Sequence, residues 1–388
     1  MTNINIYDYY QIDELFNEEE ILVRDTVRNF VDNRIMSIIE EHYSKGKFPV
    51  ELIPEIGSLG LLGITIPIEY GGAGANYTCY GLAMQELERG DSGIRSFASV
   101  QNSLVMYPIY NYASEEIKKK WLPKLAAGKA VGCFGLTEPD YGSNPGGMIT
   151  TAIETENGYL LNGTKMWITN GSIADVAVVW AKLNGTVHGF IVEKERKGFS
   201  APKMKGKHSL RTSVTSELIF QDVEIPKENI LDVKGLRGPL SCLDQARYGI
   251  AWGAVGAALA VFESSVDYAK TRIQFDKPIG GHQIIQEKLV WMVSEITKAQ
   301  LLAQRLGRLK DANRATSQQI SMAKRNNVDI ALQAARLARE VHGANGILNE
   351  YPIMRHMANL ESVKTYEGTH DIHTLIIGQS ITGIAAFT

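Results

Sequence analysis

Thr365-Tyr366-Glu367-Gly368-Thr369-His370-Asp371-Ile372-His373 places a carboxylate, a glycine and a hydroxyl directly ahead of an apolar stretch that predicts a helix from about Ile372 to Ile384. Glycine lets the backbone turn sharply, and the first turn of a helix leaves amide N–H groups without partners. A carboxylate on such a turn can face a cleft while a neighbouring N–H holds an oxygen that is gathering charge. That is what proton removal next to a carbonyl requires, with Glu367 as the candidate base. A Glu that merely favours a helix start would read the same way, so the choice depends on the rest of the chain.

The chain has 388 residues, 44% of them hydrophobic, which is enough for two or three domains and a buried cofactor. A net charge of −3 leaves no basic excess for a nucleic-acid backbone or an anionic membrane, and neither partner is expected. Cys79, Cys133 and Cys242 are odd in number and far apart, which argues against a disulfide framework or a thiolate metal site. Reduced thiols in a cytoplasmic protein are the expectation, with the mitochondrial matrix as the alternative if the chain is a mature organellar form. Met1–Phe16 is acidic and aromatic, with neither a signal core nor transit-segment character. The apolar run Gly249–Phe262 is too short for a bilayer and reads as an internal helix.

The periodicity predicts an α+β multidomain chain. Helices are expected at about Asn17–Glu41, where Asn17 and Glu20 suit a capping box, then at Val50–Leu59, Tyr77–Arg89, Ile94–Tyr107 and Glu115–Ala127. Lys118, Lys119 and Lys120 on the last of these read as a solvated face. Strands are expected at Thr150–Glu154, Tyr159–Leu161, Val176–Lys182, Gly189–Glu193 and Ser216–Ile225, with turns at Asn157-Gly158 and Asn162-Gly163. Long helices return at Asp244–Thr271, Gln283–Lys310, Ser317–His342, Tyr351–Leu360 and Ile372–Phe387. The expected order is a helical domain over 1–132, a β-barrel or sandwich over 133–238, and a four-helix bundle over 239–388.

This order, together with local motifs from about residue 13 onward, resembles the acyl-CoA dehydrogenase family of flavoproteins, and within it the glutaryl-CoA branch. Cys133-Phe134-Gly135-Leu136-Thr137-Glu138-Pro139 and Gly142-Ser143 resemble the flavin-binding segment, although Asn144 stands where the family usually has Asp. Trp167-Ile168-Thr169-Asn170 resembles the second flavin contact, which implies an indole beside the isoalloxazine and the Thr169 hydroxyl near its N5. Without that resemblance, Trp167 reads as a core residue of a sheet. Arg272 to Pro278 resembles the segment in which Arg272 reaches the FAD pyrophosphate and Phe275 the adenine of a neighbouring subunit's cofactor. His342-Gly343-Ala344-Asn345-Gly346 resembles a further dinucleotide contact, with Ala344 replacing one of the family's paired glycines. Gln283, Thr369 and Asp371 complete the cofactor set that the resemblance implies.

Asp244 and Arg247 resemble the helix start that binds the CoA portion. Isovaleryl-type members carry their base immediately before that Arg, but Ala246 stands there, which leaves Glu367 as the base. Glu88, Arg95 and Ser99 match the residues that the glutaryl-CoA branch places around a distal carboxylate, with Tyr366 as a pocket wall. An Asp91–Arg95 pair at i, i+4 is the local alternative. The resemblance implies FAD-dependent dehydrogenation of glutaryl-CoA with decarboxylation to crotonyl-CoA and CO2, no metal, electron-transfer flavoprotein as acceptor, and a homotetramer. The competing expectations are a short-chain acyl-CoA dehydrogenase or oxidase, a glutaryl-CoA enzyme that stops before decarboxylation, and a non-catalytic assembly protein on the same scaffold. The closing Ala385-Ala386-Phe387-Thr388 carries no peroxisomal address, which disfavours a peroxisomal oxidase.

Overall fold

The computed structural model of the protein describes residues 5–386. Helix α1 (Glu18–Phe30) starts on the expected capping box, with both Asn17–Glu20 hydrogen bonds at 2.9 Å. It does not run unbroken to Glu41. A π-helical turn at Val31–Ile35 resets the phase of the apolar stripe, so that Val31, Ile35 and Ile39 are all fully buried, and the chain resumes as α2 (Ile39–Lys45). Then come α3 (Ile53–Ser58) and α4 (Tyr77–Gly90). The stretch expected as a single helix over Ile94–Tyr107 is α5 (Ser92–Ser99), a second π-helical turn at Val100–Met106, and α6 (Tyr107–Tyr112). On α7 (Glu115–Ala126) the basic face is surface, with Lys118 paired to Glu115 and Lys120 to Glu193.

The middle of the chain forms one mixed sheet. Its strands are β1 (Gly132–Gly135), β2 (Thr151–Thr155), β3 (Gly158–Thr169), β4 (Val176–Leu183), β5 (Thr186–Glu193), β6 (Phe199–Ser200), β7 (Thr215–Pro226) and β8 (Ile230–Lys234). Their order is β6-β7-β3-β2-β4-β5-β8, with β1 also on β4. β1 and β2 both run parallel to β4, against Val176–Val179 and Lys182–Leu183 respectively, so segment 136–150 leaves the sheet between them. Asn157-Gly158 does close a hairpin, with Thr155 opposite Gly158. Asn162-Gly163 is not a turn. It lies inside β3, where the register against β7 shifts, and a Cβ on Gly163 would lie 2.4 Å from Thr150 Oγ1.

The chain ends in α8 (Arg237–Thr271), the hairpin β9 (Ile273–Gln274) and β10 (Lys277–Pro278), then α9 (Gln283–Asp311), α10 (Ser317–Val341), α11 (Ile353–Val363) and α12 (His370–Thr382). α12 stops at Gly383, which adopts φ 73°, short of the expected end at Phe387, which lies outside the described residues. α8 is longer than its apolar run suggests and could cross a membrane on length and composition alone. Yet 89% of its most apolar window is buried inside the protein, because it is the central helix packed on α4 and α10. Glycines permit that packing: a Cβ on Gly256 would lie 1.8 Å from the Gln85 carbonyl oxygen. One apolar core runs through α1, α4, α5, α8, α9, α10 and α11. A second joins α6 and α7 to β1, β4, β5 and the start of α8.

Candidate active site

The turn between α11 and α12 holds Glu367 in the left-handed region at φ 52° and Gly368 at φ 91°. For a residue with a side chain this conformation costs roughly 1 kcal/mol or more, and it persists only where the surroundings hold it. Three positive side chains surround the turn. Arg247 Nε donates to the Glu367 carbonyl at 2.9 Å, Lys324 Nζ donates to the carbonyls of Tyr366, Glu367 and Gly368, and Arg95 reaches the Tyr366 hydroxyl. Gly368 has no room for a side chain, since a Cβ there would lie 2.9 Å from His373 Nε2. Among the described residues, Glu367 Oε2 is buried and has no hydrogen-bond partner. Burial pushes the Glu367 carboxyl above its usual range, against the pull of Lys324, Arg95 and Arg247. Burial pushes the Lys324 ammonium down to about 7, with Glu367 acting in the opposite direction.

His373 and His356 are fully enclosed, with no partner on either ring nitrogen among the described residues. Burial, reinforced by Lys324 and Arg247, pushes His373 down to about 2, and burial beside Arg355 and Arg89 holds His356 well below its ordinary value. Both are neutral in the fold, whereas the unfolded chain takes up protons on them below about pH 6.5. Stability is therefore expected to fall as pH drops below that value. His373 alone should account for roughly 2 kcal/mol at pH 5, and His356 acts in the same direction. Urea unfolding at pH 7 and pH 5 checks this, and equal midpoints would refute it.

The residues expected around a distal carboxylate come together. Arg95 is fully buried, its Nε donates to Glu88 Oε2 at 2.6 Å, its guanidinium lies 5.6 Å from the centre of the Tyr366 ring, and its Nη1 has no partner among the described residues. The local alternative fails. Asp91 Oδ1 caps α5 at the Gly93 N–H and Oδ2 takes Arg355 and Asn359, leaving Arg95 to Glu88. Ser99 joins a buried chain with the Tyr80 hydroxyl (3.3 Å), which also meets Ser103 (2.7 Å). Gly253 of α8 makes space for the pair, as a Cβ there would be 2.0 Å from Glu88 Oε2. Arg247 turns inward to the base turn and bonds Asp244 at 3.3 Å, while Asp244 also accepts from Ser317.

The residues with an expected cofactor role divide. Trp167 is not a core residue of the sheet: it is 58% exposed and has φ 64°, at a β3 bulge between Lys165 and Ile168. Thr169 ends the same strand. The side chains of Phe134 and Leu136 belong to the apolar core. Gly142 and Ser143 lie exposed on the loop after Thr137. A buried ion pair supports that loop: Lys165 Nζ donates to the Leu136 carbonyl at 3.1 Å and to Glu138 at 2.8 Å, and Glu138 accepts from the Ile149 and Thr150 N–H groups. Burial pushes Lys165 down to about 8, against the pull of Glu138.

Arg272, Phe275, Gly343 and Asn345 line one cleft of about 380 Å³ with Tyr268 and His342. Phe275 is 88% exposed at the tip of the β9–β10 hairpin. Four residues fall outside these groupings. Gln283 is exposed and does not line the cleft, Thr369 caps α12 at the Ile372 N–H (3.1 Å), and Asp371 is exposed in the first turn. Gly346 is buried, where a Cβ would lie 2.7 Å from the Arg339 carbonyl oxygen. Sequence reasoning missed Tyr80, Ser103, His373 and Lys324. The last had a signal, since Lys324 stands four residues from both Ile320 and Val328 on the buried side of α10.

The sequence matches three family descriptions in succession: acyl-CoA dehydrogenase N-terminal domain over 17–129, middle domain over 133–223, and C-terminal domain over 233–382. The chain belongs to the acyl-CoA dehydrogenase family. Among solved structures, this acyl-CoA dehydrogenase is similar to a glutaryl-CoA dehydrogenase from Mycobacterium smegmatis, with 51% identity, TM-score 0.97 and 100% of both chains covered. A second M. smegmatis glutaryl-CoA dehydrogenase structure, in complex with FADH2, matches at 49% identity and TM-score 0.98, again over 100% of both chains. The human mitochondrial short-chain specific acyl-CoA dehydrogenase is 35% identical over 379 residues, covering 96% of this chain and 92% of the relative.

Proposed function

We propose that this acyl-CoA dehydrogenase binds FAD and oxidises glutaryl-CoA, with loss of CO2, to crotonyl-CoA. The observation that supports glutaryl-CoA most directly is the buried Arg95 guanidinium. One edge is committed to Glu88, another to the hydroxyl of the residue beside the base, and Nη1 has no partner. A buried donor without an acceptor is costly, and a carboxylate at the end of a short acyl chain would satisfy it.

The residues present fit FAD. The strained bulge at Trp167 turns an indole face outward beside Thr169, and the cleft holding Arg272, Phe275 and Asn345 suits a dinucleotide arm. When bound, FAD supplies the acceptor for the hydrogen leaving the substrate β-carbon. Glu367 takes the α-proton, and the Glu367 N–H, which donates to no backbone or side-chain group among the described residues, holds the thioester oxygen. Arg95 and Tyr366 hold the distal carboxylate. Its loss as CO2 leaves the bond's electrons conjugated into the thioester, and the protonated Glu367 returns a proton to the resulting dienolate. The exposed Phe275 hairpin suits contact with a second subunit's cofactor in a homotetramer, and electron-transfer flavoprotein is the acceptor consistent with this chemistry.

Incubating the FAD-loaded enzyme with glutaryl-, butyryl- and isovaleryl-CoA, while following flavin colour, CO2 and product mass together, tests this reading. Flavin bleaching by glutaryl-CoA with release of CO2 and crotonyl-CoA, and slower bleaching by butyryl-CoA without CO2, is the expected result. Bleaching by butyryl-CoA only would favour the short-chain reading, and glutaconyl-CoA without CO2 the non-decarboxylating one. Oxygen uptake with peroxide release would mark an oxidase.

A further inference from the structure

Lys324 belongs to no motif, yet it is 1% exposed and its ammonium is directed into the base turn. Its Nζ donates to three successive carbonyls, those of Tyr366, Glu367 (3.2 Å) and Gly368 (2.8 Å). Three acceptors require three N–H donors, which only the charged amine carries. The Tyr366 carbonyl and the Glu367 N–H belong to one planar trans peptide and point in opposite directions. Fixing the carbonyl therefore aims the N–H, and a cation on the oxygen makes that N–H a stronger donor. The other charged or titratable groups facing Lys324 are Glu367 and Tyr366 on the turn, Arg247 on α8, Arg95 on α5 and His373 on α12. Among the described residues, only Lys324 contacts the Tyr366 carbonyl, whereas Arg247 and Lys324 share that of Glu367.

We propose that Lys324 is a positioning residue for the thioester oxygen: it aims and polarises the Glu367 N–H through the Tyr366 carbonyl, and it locks the left-handed turn that presents the Glu367 carboxylate. This rests on the proposed reading of Glu367 as base and oxyanion donor, and makes a separate claim about the peptide behind it.

The test uses FAD-loaded tetramer or whatever assembly the purified chain forms, with crotonyl-CoA carrying 13C at its thioester carbonyl as a non-reacting probe. Its infrared C=O stretch is expected to lie below the value in water when bound to the native enzyme. In Lys324→Met it should return at least halfway toward that value. Turnover should drop about tenfold to a hundredfold with KM changed less than about threefold, because losing a single direct oxyanion donor already costs about 10²- to 10³-fold. Lys324→Arg should recover part of both effects, and Lys324→Gln, which keeps two donors without charge, should fall between. An unmoved carbonyl stretch in Lys324→Met would reduce the lysine to a packing element. So would loss of the folded, FAD-binding state in all three variants. Glu367→Gln keeps its backbone N–H and should keep the native stretch while losing turnover. If it keeps both, the base assignment fails while the claim for Lys324 stands.

Discussion

Glu367→Gln is expected to leave FAD bound and the fold intact but to slow flavin bleaching by glutaryl-CoA about 10³-fold or more, at the upper part of what a general base contributes. The replacement is nearly isosteric and removes only the basic oxygen, so the turn, its three carbonyl bonds and the Arg247 contact should persist. Glu367→Asp should fall short for a geometric reason: withdrawing the carboxylate by one methylene, on the order of 1.5 Å, can cost about a hundredfold. The pH profile carries a sign. Burial raises the Glu367 carboxyl above its ordinary range, and proton removal needs the ionised form. The native rate should therefore fall as pH drops through an apparent value higher than that of an exposed Glu. Bleaching of the Gln variant at the native rate would remove Glu367 from its role.

How much of this was readable in the sequence depends on how local each interaction is. Glu367 could be read because its turn is written in consecutive residues: Gly368 to allow the bend and Thr369 to cap the next helix. The π-helical turns at Val31–Ile35 and Val100–Met106 could not, because apolar residues four apart, such as Val31, Ile35 and Ile39, read as one unbroken helix whether or not a residue is inserted among them. Trp167 read equally well as a core residue of a sheet, and only the left-handed bulge in β3 turns it outward. The Arg95 partner was ambiguous for a different reason. Asp91 has helical spacing to Arg95, but it caps α5 and is drawn off by Arg355 and Asn359 from a helix near the other end of the chain. Long-range competition of this kind has no local signature. Lys324 is the intermediate case: its place on an apolar helix face marks it as unusual, but its carbonyl partners are more than forty positions away.

Arg95→Gln is expected to reduce kcat/KM for glutaryl-CoA about tenfold to a hundredfold more than for butyryl-CoA, the range set by one charge-assisted contact of roughly 1.5 to 3 kcal/mol. The single variant also leaves Glu88 as an unpaired buried carboxylate, which can cost about 3 to 5 kcal/mol and would harm every substrate. The decisive comparison is therefore with Glu88→Gln/Arg95→Gln, which removes both charges together. In the double variant butyryl-CoA turnover should recover while glutaryl-CoA turnover stays low, and equal losses on both would make Arg95 a packing residue. Glu88 itself has a consequence of opposite sign. CO2 departs only if the carboxylate's charge flows toward the thioester, and a guanidinium without a counter-charge would hold that charge in place. With Glu88 bonded at 2.6 Å, Arg95 offers hydrogen-bond direction with much of its charge already matched. Glu88→Gln should thus lower KM for glutaryl-CoA while glutaconyl-CoA accumulates ahead of crotonyl-CoA. Mass analysis of early reaction products would show the accumulation, and an unchanged product ratio with a raised KM would assign Glu88 to holding Arg95 in place and nothing more.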